Sequence, residues 1–121
     1  MLGIDIIEIA RVRQAVNAPH GPRFLERVFT ERERAYCCTG SVKYNSLAAR
    51  FAGKEAVAKA LGTGFRGMNW KDIEIINDAL GKPTVILHAA AQKRAMEMAV
   101  TEVHISLSHT HTLAFASCYL K

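Results

Sequence analysis

Cysteine is scarce in this 121-residue chain, and its three copies are poorly placed for bonding. Cys37 and Cys38 are adjacent, Cys118 lies far away, and no C-x-x-C spacing occurs. That arrangement argues against a disulfide framework or a zinc site and implies a reducing, cytoplasmic setting. Also missing is any apolar run long enough to span a bilayer, so no membrane partner is expected. The N-terminus has no basic flank and meets Asp5 at once, unlike a signal peptide. No repeat, low-complexity segment or linker interrupts the chain, and its length predicts one domain, residues 1–121.

What is present is apolar and basic. Hydrophobic residues make up 50% of the composition, more than a lone small domain hides easily, which suggests an oligomer interface. The net charge of +5 suggests an anionic partner: nucleic acid, a phosphorylated ligand or an acidic protein. A basic nucleic-acid module has only that charge in its favour. The basic residues are dispersed among acids, and neither an RNP aromatic pair nor a recognition helix stands out. No nucleic-acid partner is expected.

Hydropathy periods divide the chain. Leu2, Ile4 and Ile6 alternate with Gly3, Asp5 and Ile7, which predicts a short strand. From about Ile7 the spacing of Ile9, Val12 and Val16 becomes helical, and residues 17–22 read as turn and breaker. Thr30-Glu31-Arg32-Glu33 is a capping box opening a short helix that Gly40 ends. The strongest helix runs from about Tyr44 to Leu61, with an apolar stripe of Leu47, Phe51, Ala58 and Leu61. A hairpin over residues 73–87, a helix over 89–99, and strands over 103–107 and 113–120 complete the order. The predicted class is α+β, a small mainly antiparallel sheet with a long central helix.

Some polar residues interrupt these patterns. Glu55 lies beyond Phe51 on the flank of the long helix that also holds Ala48 and Ala52, and Lys59 follows at i+4. The pair reads either as a surface ion pair or as part of a site. Small neighbours allow close approach, and Gly62-Thr63-Gly64 follows with exposed amides, so acid, base and amides together suit a metal-phosphate site. Asp5 reads either as a ligand or as the start of a capping box with Glu8. His109, where a strand meets a turn, reads as a polar edge or, with His111, as a metal pair lacking a third soft ligand.

Two apparent phosphate motifs fail on context. Residues 62–67 match G-x-G-x-x-G, but a helix precedes them and a strand follows, the reverse of a dinucleotide fold. Gly81-Lys82 is no P-loop, because Pro83 stands where Ser or Thr is required.

Four segments together resemble the holo-acyl-carrier-protein synthase family of 4′-phosphopantetheinyl transferases. Gly3 to Arg11 is similar to its G-x-D-I-x-x-x-x-R signature, and Phe51 to Gly64 to its F-A-x-K-E-A-x-x-K-A-x-G-T-G core. Gly81-Lys82-Pro83 and Ser106-Leu107-Ser108-His109 complete the order, so the likeness covers essentially the whole chain. Departures are Gly53 in place of the usual Ala, at up to ~1 kcal/mol of helix propensity, and Val100-Thr101 where a Gly often ends the third helix. An N-terminus starting about two residues early is a further departure, implying a short first strand.

The resemblance implies an enzyme that moves phosphopantetheine from coenzyme A to a serine of acyl carrier protein. Asp5 and Glu55 match its Mg²⁺ ligands, Mn²⁺ being the alternative ion. Lys59 matches the basic residue facing the coenzyme A pyrophosphate, and Gly62, Thr63 and Gly64 the loop beside it. Arg50, Lys82, Pro83 and His109 match positions at the adenosine 3′-phosphate end. Arg11 matches the carrier-protein docking face, with Arg23 and Arg27 as looser candidates. Glu55, Asp5 or a metal-bound water takes the serine proton. A homotrimer with sites between subunits is implied as well.

Overall fold

The alternation at the N-terminus forms a strand, but one that runs further than expected and buries its less apolar side. The computed structural model describes residues 1–121, and in it β1 spans Leu2–Glu8. It pairs antiparallel with the last strand from Leu2↔Tyr119 to Glu8↔Leu113. Helix α1 (Ile9–Asn17) therefore begins at Ile9, not near Ile7. The continuous ladder holds Asp5 mid-strand opposite Ala116, so the capping box with Glu8 does not form. Nor does the terminus shorten the strand, because its amine donates to the Leu120 carbonyl at 3.2 Å. Gly3, Asp5 and Ile7 face inward, whereas Leu2, Ile4 and Ile6 are 79%, 69% and 53% exposed.

Residues read as punctuation also build structure. Gly21–Val28 is helix α2, with Pro22 in its first turn, where a missing N–H costs nothing. A Cβ at Gly21 would lie 1.9 Å from the Val16 carbonyl oxygen, so only glycine lets α2 turn back on α1 this tightly. Helix α3 (Glu31–Cys38) starts at the expected capping box: Glu33 N–H donates to Thr30 Oγ1 and Thr30 N–H to Glu33 Oε1.

Helix α4 (Tyr44–Ala60) is buried on nearly every side, with 11 of its 17 residues buried, so the expected single stripe is too narrow. One core packs its Leu47 and Ala48 with Val12, Val28, Phe29 and Cys37. The other packs Ala52, Ala56, Val57 and Ala60 with Ile73 and Cys118. Small side chains on every face let the helix serve both. Gly53 belongs to the same economy of space. A Cβ there would sit 2.5 Å from Ile75 Cδ1 and 3.1 Å from Ile105 Cδ1, so apolar packing sets against its helix-propensity cost.

After a 3-10 turn at Trp70–Asp72 come β2 (Ile73–Asn77), β3 (Pro83–Leu87), α5 (Ala89–Glu97), β4 (Val103–His109) and β5 (Leu113–Leu120). All pairings are antiparallel, but they form two sheets: β1-β5-β4 and the β2-β3 hairpin. The α+β class stands. Past α5, Ala99 takes the left-handed conformation (φ 57°) that glycine usually fills. No helix is long and apolar enough to cross a membrane.

A buried ion pair fastens α4 to α3. The Lys54 side chain is 0% exposed, and its Nζ meets Glu33 Oε1 at 2.8 Å, Trp70 O at 3.2 Å and the Ile73 carbonyl. Glu33 Oε2 accepts from Ile75 N–H at 2.8 Å, so the same carboxylate ties α3, α4 and β2. Burial pushes the Lys54 ammonium down, and the Glu33 carboxylate opposes that shift. Beside them, burial alone would raise Glu74, yet bonds from Arg32, Thr30 and His88 hold it at about 2. Lys54→Met is expected to lower the unfolding free energy in urea by about 3–5 kcal/mol, because it strands Glu33. A loss below about 1 kcal/mol would show that Glu33 does not depend on its partner.

Candidate active site

The site begins with a missing side chain. At Gly3 an added Cβ would lie 1.9 Å from the Ala56 carbonyl oxygen and 2.9 Å from the Ala60 nitrogen. The backbones of β1 and α4 therefore lie in direct contact. Two residues on, and on the same inward face, Asp5 projects beside the exposed end of α4. Lys59 Nζ donates to Asp5 Oδ1 at 2.8 Å and to the Ile4 carbonyl at 3.1 Å. The i,i+4 pairing of Lys59 with Glu55 gives way to this bond across elements.

Glu55 is left half-buried with no hydrogen-bond donor from the chain. Burial raises its pKa, the nearby Asp5 charge raises it further, and Lys59 opposes. The hydrogen bond with Asp5 raises Lys59 in turn. Asp5 and Glu55 line one pocket of about 400 Å³ with Arg11, while Phe24, Phe51, Val12 and Ala15 supply an apolar wall. Asp5 and Glu55 bring two carboxylates to one pocket and could offer oxygen ligands to a hard cation, although no group of three or more His, Cys, Asp or Glu gathers there.

The glycine loop leaves α4 next to Lys59. Gly62 (φ 83°) and Gly64 (φ 58°) adopt the left-handed backbone, as the sequence predicts for a helix stop. Their N–H groups return to the Lys59 and Ala58 carbonyls at 2.9 and 3.2 Å. The N–H groups of Thr63 and Phe65 find no acceptor in the chain, and the Thr63 hydroxyl donates to Gly64 O at 3.0 Å.

The other expected residues gather elsewhere. Arg50, Pro83 and His109 surround a cleft of about 220 Å³, and Lys82 lies outside that lining on the adjacent turn. Arg50 is only 4% exposed; its Nε donates to Ile75 O at 3.2 Å and its guanidinium stacks on Tyr36 at 4.7 Å. Arg50 and Glu55 are five positions apart, roughly 140° around a helix, so the two groups face different ways within one chain. Arg23 and Arg27 line a third groove with Phe65 and Trp70, apart from the pocket of Arg11. His109 and His111 share an open polar cleft with Asn45 and Thr110, with no third ligand between them.

Sequence reasoning missed the apolar wall beside the carboxylates. Phe51 read as core, and Phe24 fell in a segment given no helix; the helical spacing of Phe24 and Val28 was its available signal. It also missed Arg13, which stacks on Tyr44 at 4.8 Å and lines a cleft with Lys43 and His109.

Residues 1–116 match the family described as the 4′-phosphopantetheinyl transferase superfamily. The holo-[acyl-carrier-protein] synthase of Moorella thermoacetica is 51% identical over 114 residues, covering 94% of this chain and 88% of the relative. The crystal structure of Helicobacter pylori holo-[acyl-carrier-protein] synthase in complex with coenzyme A aligns over 100% of both chains, with a TM-score of 0.86 and 30% identity. The holo-(acyl-carrier-protein) synthase of Bacillus anthracis, in complex with CoA (3′,5′-ADP), aligns over 98% of this chain and 93% of its own, with a TM-score of 0.78 and 37% identity.

The Gly3 contact yields a direct test. Gly3→Ala forces backbone, not a flexible side-chain end, to move, and is expected to cost about 1–3 kcal/mol or more in thermal unfolding. Unchanged stability would mean that β1 can lift off α4 freely.

Proposed function

The chain belongs to the 4′-phosphopantetheinyl transferase superfamily, and from that membership we propose that it is a holo-[acyl-carrier-protein] synthase of fatty acid biosynthesis. It transfers 4′-phosphopantetheine from coenzyme A to a serine of apo acyl carrier protein and releases adenosine 3′,5′-bisphosphate. One observation carries this reading: Asp5 and Glu55 line one pocket, and Lys59, whose carbonyl takes the Gly62 N–H of the glycine loop, bonds to Asp5 there. The unit is residues 1–121 taken as one domain, a choice supported by the two cores that share α4.

Asp5 and Glu55 hold Mg²⁺ in this reading, with Mn²⁺ as the alternative. When bound, the ion draws charge from the pyrophosphate. Lys59 spends two of its three N–H bonds on Asp5 and Ile4, leaving one for the leaving phosphate. The Thr63 and Phe65 amides offer further donors. Nothing here requires a covalent enzyme intermediate; the residues position the reactants and stabilise charge. The apolar wall of Phe24 and Phe51 suits the pantetheine limb.

Arg50, Lys82, Pro83 and His109 serve the adenosine 3′-phosphate end. Arg50 faces away from Glu55 in its own chain and shares its cleft with Pro83 and His109, so in this reading a second copy supplies that end of each site. The exposed Leu2, Ile4 and Ile6 support such an assembly, a homotrimer with sites between subunits. Arg11, which lines the carboxylate pocket, meets acidic residues of the carrier protein, with Arg23 and Arg27 in a separate groove as looser candidates. Three free cysteines are compatible with a cytoplasmic setting.

Intact-mass spectrometry of apo acyl carrier protein with this protein, coenzyme A and Mg²⁺ tests the proposal. We expect a mass gain of one phosphopantetheine arm that EDTA abolishes. No gain, with a carrier protein that a known transferase modifies, would leave coenzyme A binding without transfer. Glu55→Gln is expected to lower turnover by about two orders of magnitude or more with the fold intact by circular dichroism. Wild-type turnover in that variant would remove Glu55 from the metal site.

A further inference from the structure

The Gly62–Gly64 loop opens from the C-terminal end of α4, where carbonyls run out of intrahelical donors. Most of the last turn is settled locally: Leu61 N–H donates to Val57 O at 2.9 Å, and the Gly62 and Gly64 N–H groups return to Lys59 and Ala58. The Leu61 carbonyl instead takes its bond from another element. Arg94, on α5, donates to it through Nε at 3.0 Å. The peptide that joins Leu61 to Gly62 is thus held at both ends, its N–H by the helix and its C=O by Arg94. Arg94 Nη2 also lies 3.6 Å from the point where a Gly62 Cβ would stand, so the guanidinium covers that flank.

This clamp sits just before the free amides. Thr63 and Phe65 carry N–H groups without acceptors, and the glycines around Thr63 are costly to hold in one conformation. Arg94 is itself well anchored, since Ala91 and Ala95 on α5 are buried in the core that also contains Leu61. That packing does not need the Arg94 bond. We propose that Arg94 is a positioning residue: it fixes the Leu61–Gly62 peptide and so pre-aims the Thr63 and Phe65 amides at a diphosphate. The inference rests on the function proposed above, in which that diphosphate is the pyrophosphate of coenzyme A.

Arg94→Met keeps the chain length and removes the donor, while Arg94→Lys keeps one. The readouts are amide hydrogen exchange at Gly62 to Phe65 without ligand, calorimetric affinity for coenzyme A with Mg²⁺, and KM for each substrate. With Met, we expect faster exchange and coenzyme A affinity weakened roughly three- to tenfold, the worth of one hydrogen bond. KM for carrier protein should stay within about twofold, and Lys should restore coenzyme A affinity. Unchanged exchange, unchanged coenzyme A affinity, or a parallel rise of both KM values tracking a lowered Tm would overturn the positioning role. Wild-type protein that binds no coenzyme A would overturn the functional reading first, before any substitution is compared.

Discussion

The backbone contact between β1 and α4 is the constraint on which the rest of the site depends. With 1.9 Å between a would-be Gly3 Cβ and the Ala56 oxygen, no other residue fits without moving main chain. The contact decides which face of β1 turns inward. Gly3 must face α4, so the alternation of the strand carries Asp5 inward with it and sends Leu2, Ile4 and Ile6 out. A strand that buried its isoleucines would gain more apolar area and lose the carboxylate. Here steric fit outweighs hydropathy in setting the orientation.

The same helix must also accept neighbours on its other sides, and its alanines make that affordable. Basic residues on it meet opposite fates because of where the 3.6-residue period puts them. Lys54 enters the interior, where Glu33 and two carbonyls replace water around its ammonium. Lys59 emerges at the rim, 51% exposed, and pairs with Asp5 in reach of solvent. Arg50 is turned to β2 and held by Ile75 and Asn77. The buried pair fixes the helix laterally, and the exposed one stays open to solvent.

Much of this was legible in the sequence, for identifiable reasons. The Thr30 capping box, the glycine stop after α4 and the β2-β3 hairpin depend on local chemistry, and each forms where the residues predict. Asp5, Glu55 and Lys59 were singled out as polar residues in otherwise apolar or small-residue patterns, and the fold brings them together. The sequence could not reveal that Lys59 prefers Asp5 to Glu55, because that choice depends on how close β1 lies. Residues 21–28 were missed because Gly and Pro were read only as breakers. Here Pro22 occupies the helix position where it is tolerated, and Gly21 relieves a clash visible only in three dimensions. Arg94 lies on a helix whose sequence gives no hint that it ends on the Leu61 carbonyl.

The preference of Lys59 for Asp5 has an electrostatic consequence. Two carboxylates and one ammonium leave the group with a net single negative charge, carried mainly by Glu55, which has no donor of its own. Burial and the Asp5 charge both raise the pKa of Glu55, so its ionised form is held at a cost that a cation can relieve. If Asp5 and Glu55 held a divalent ion, as proposed, the local balance would become a single positive charge. In the proposed chemistry that positive balance, together with the amides of the glycine loop, faces a pyrophosphate. Were Lys59 paired with Glu55 instead, both partners would be neutralised on the helix surface and Asp5 would stand alone. The bond across from α4 to β1 therefore leaves Glu55 without a donor while it holds Asp5 in place.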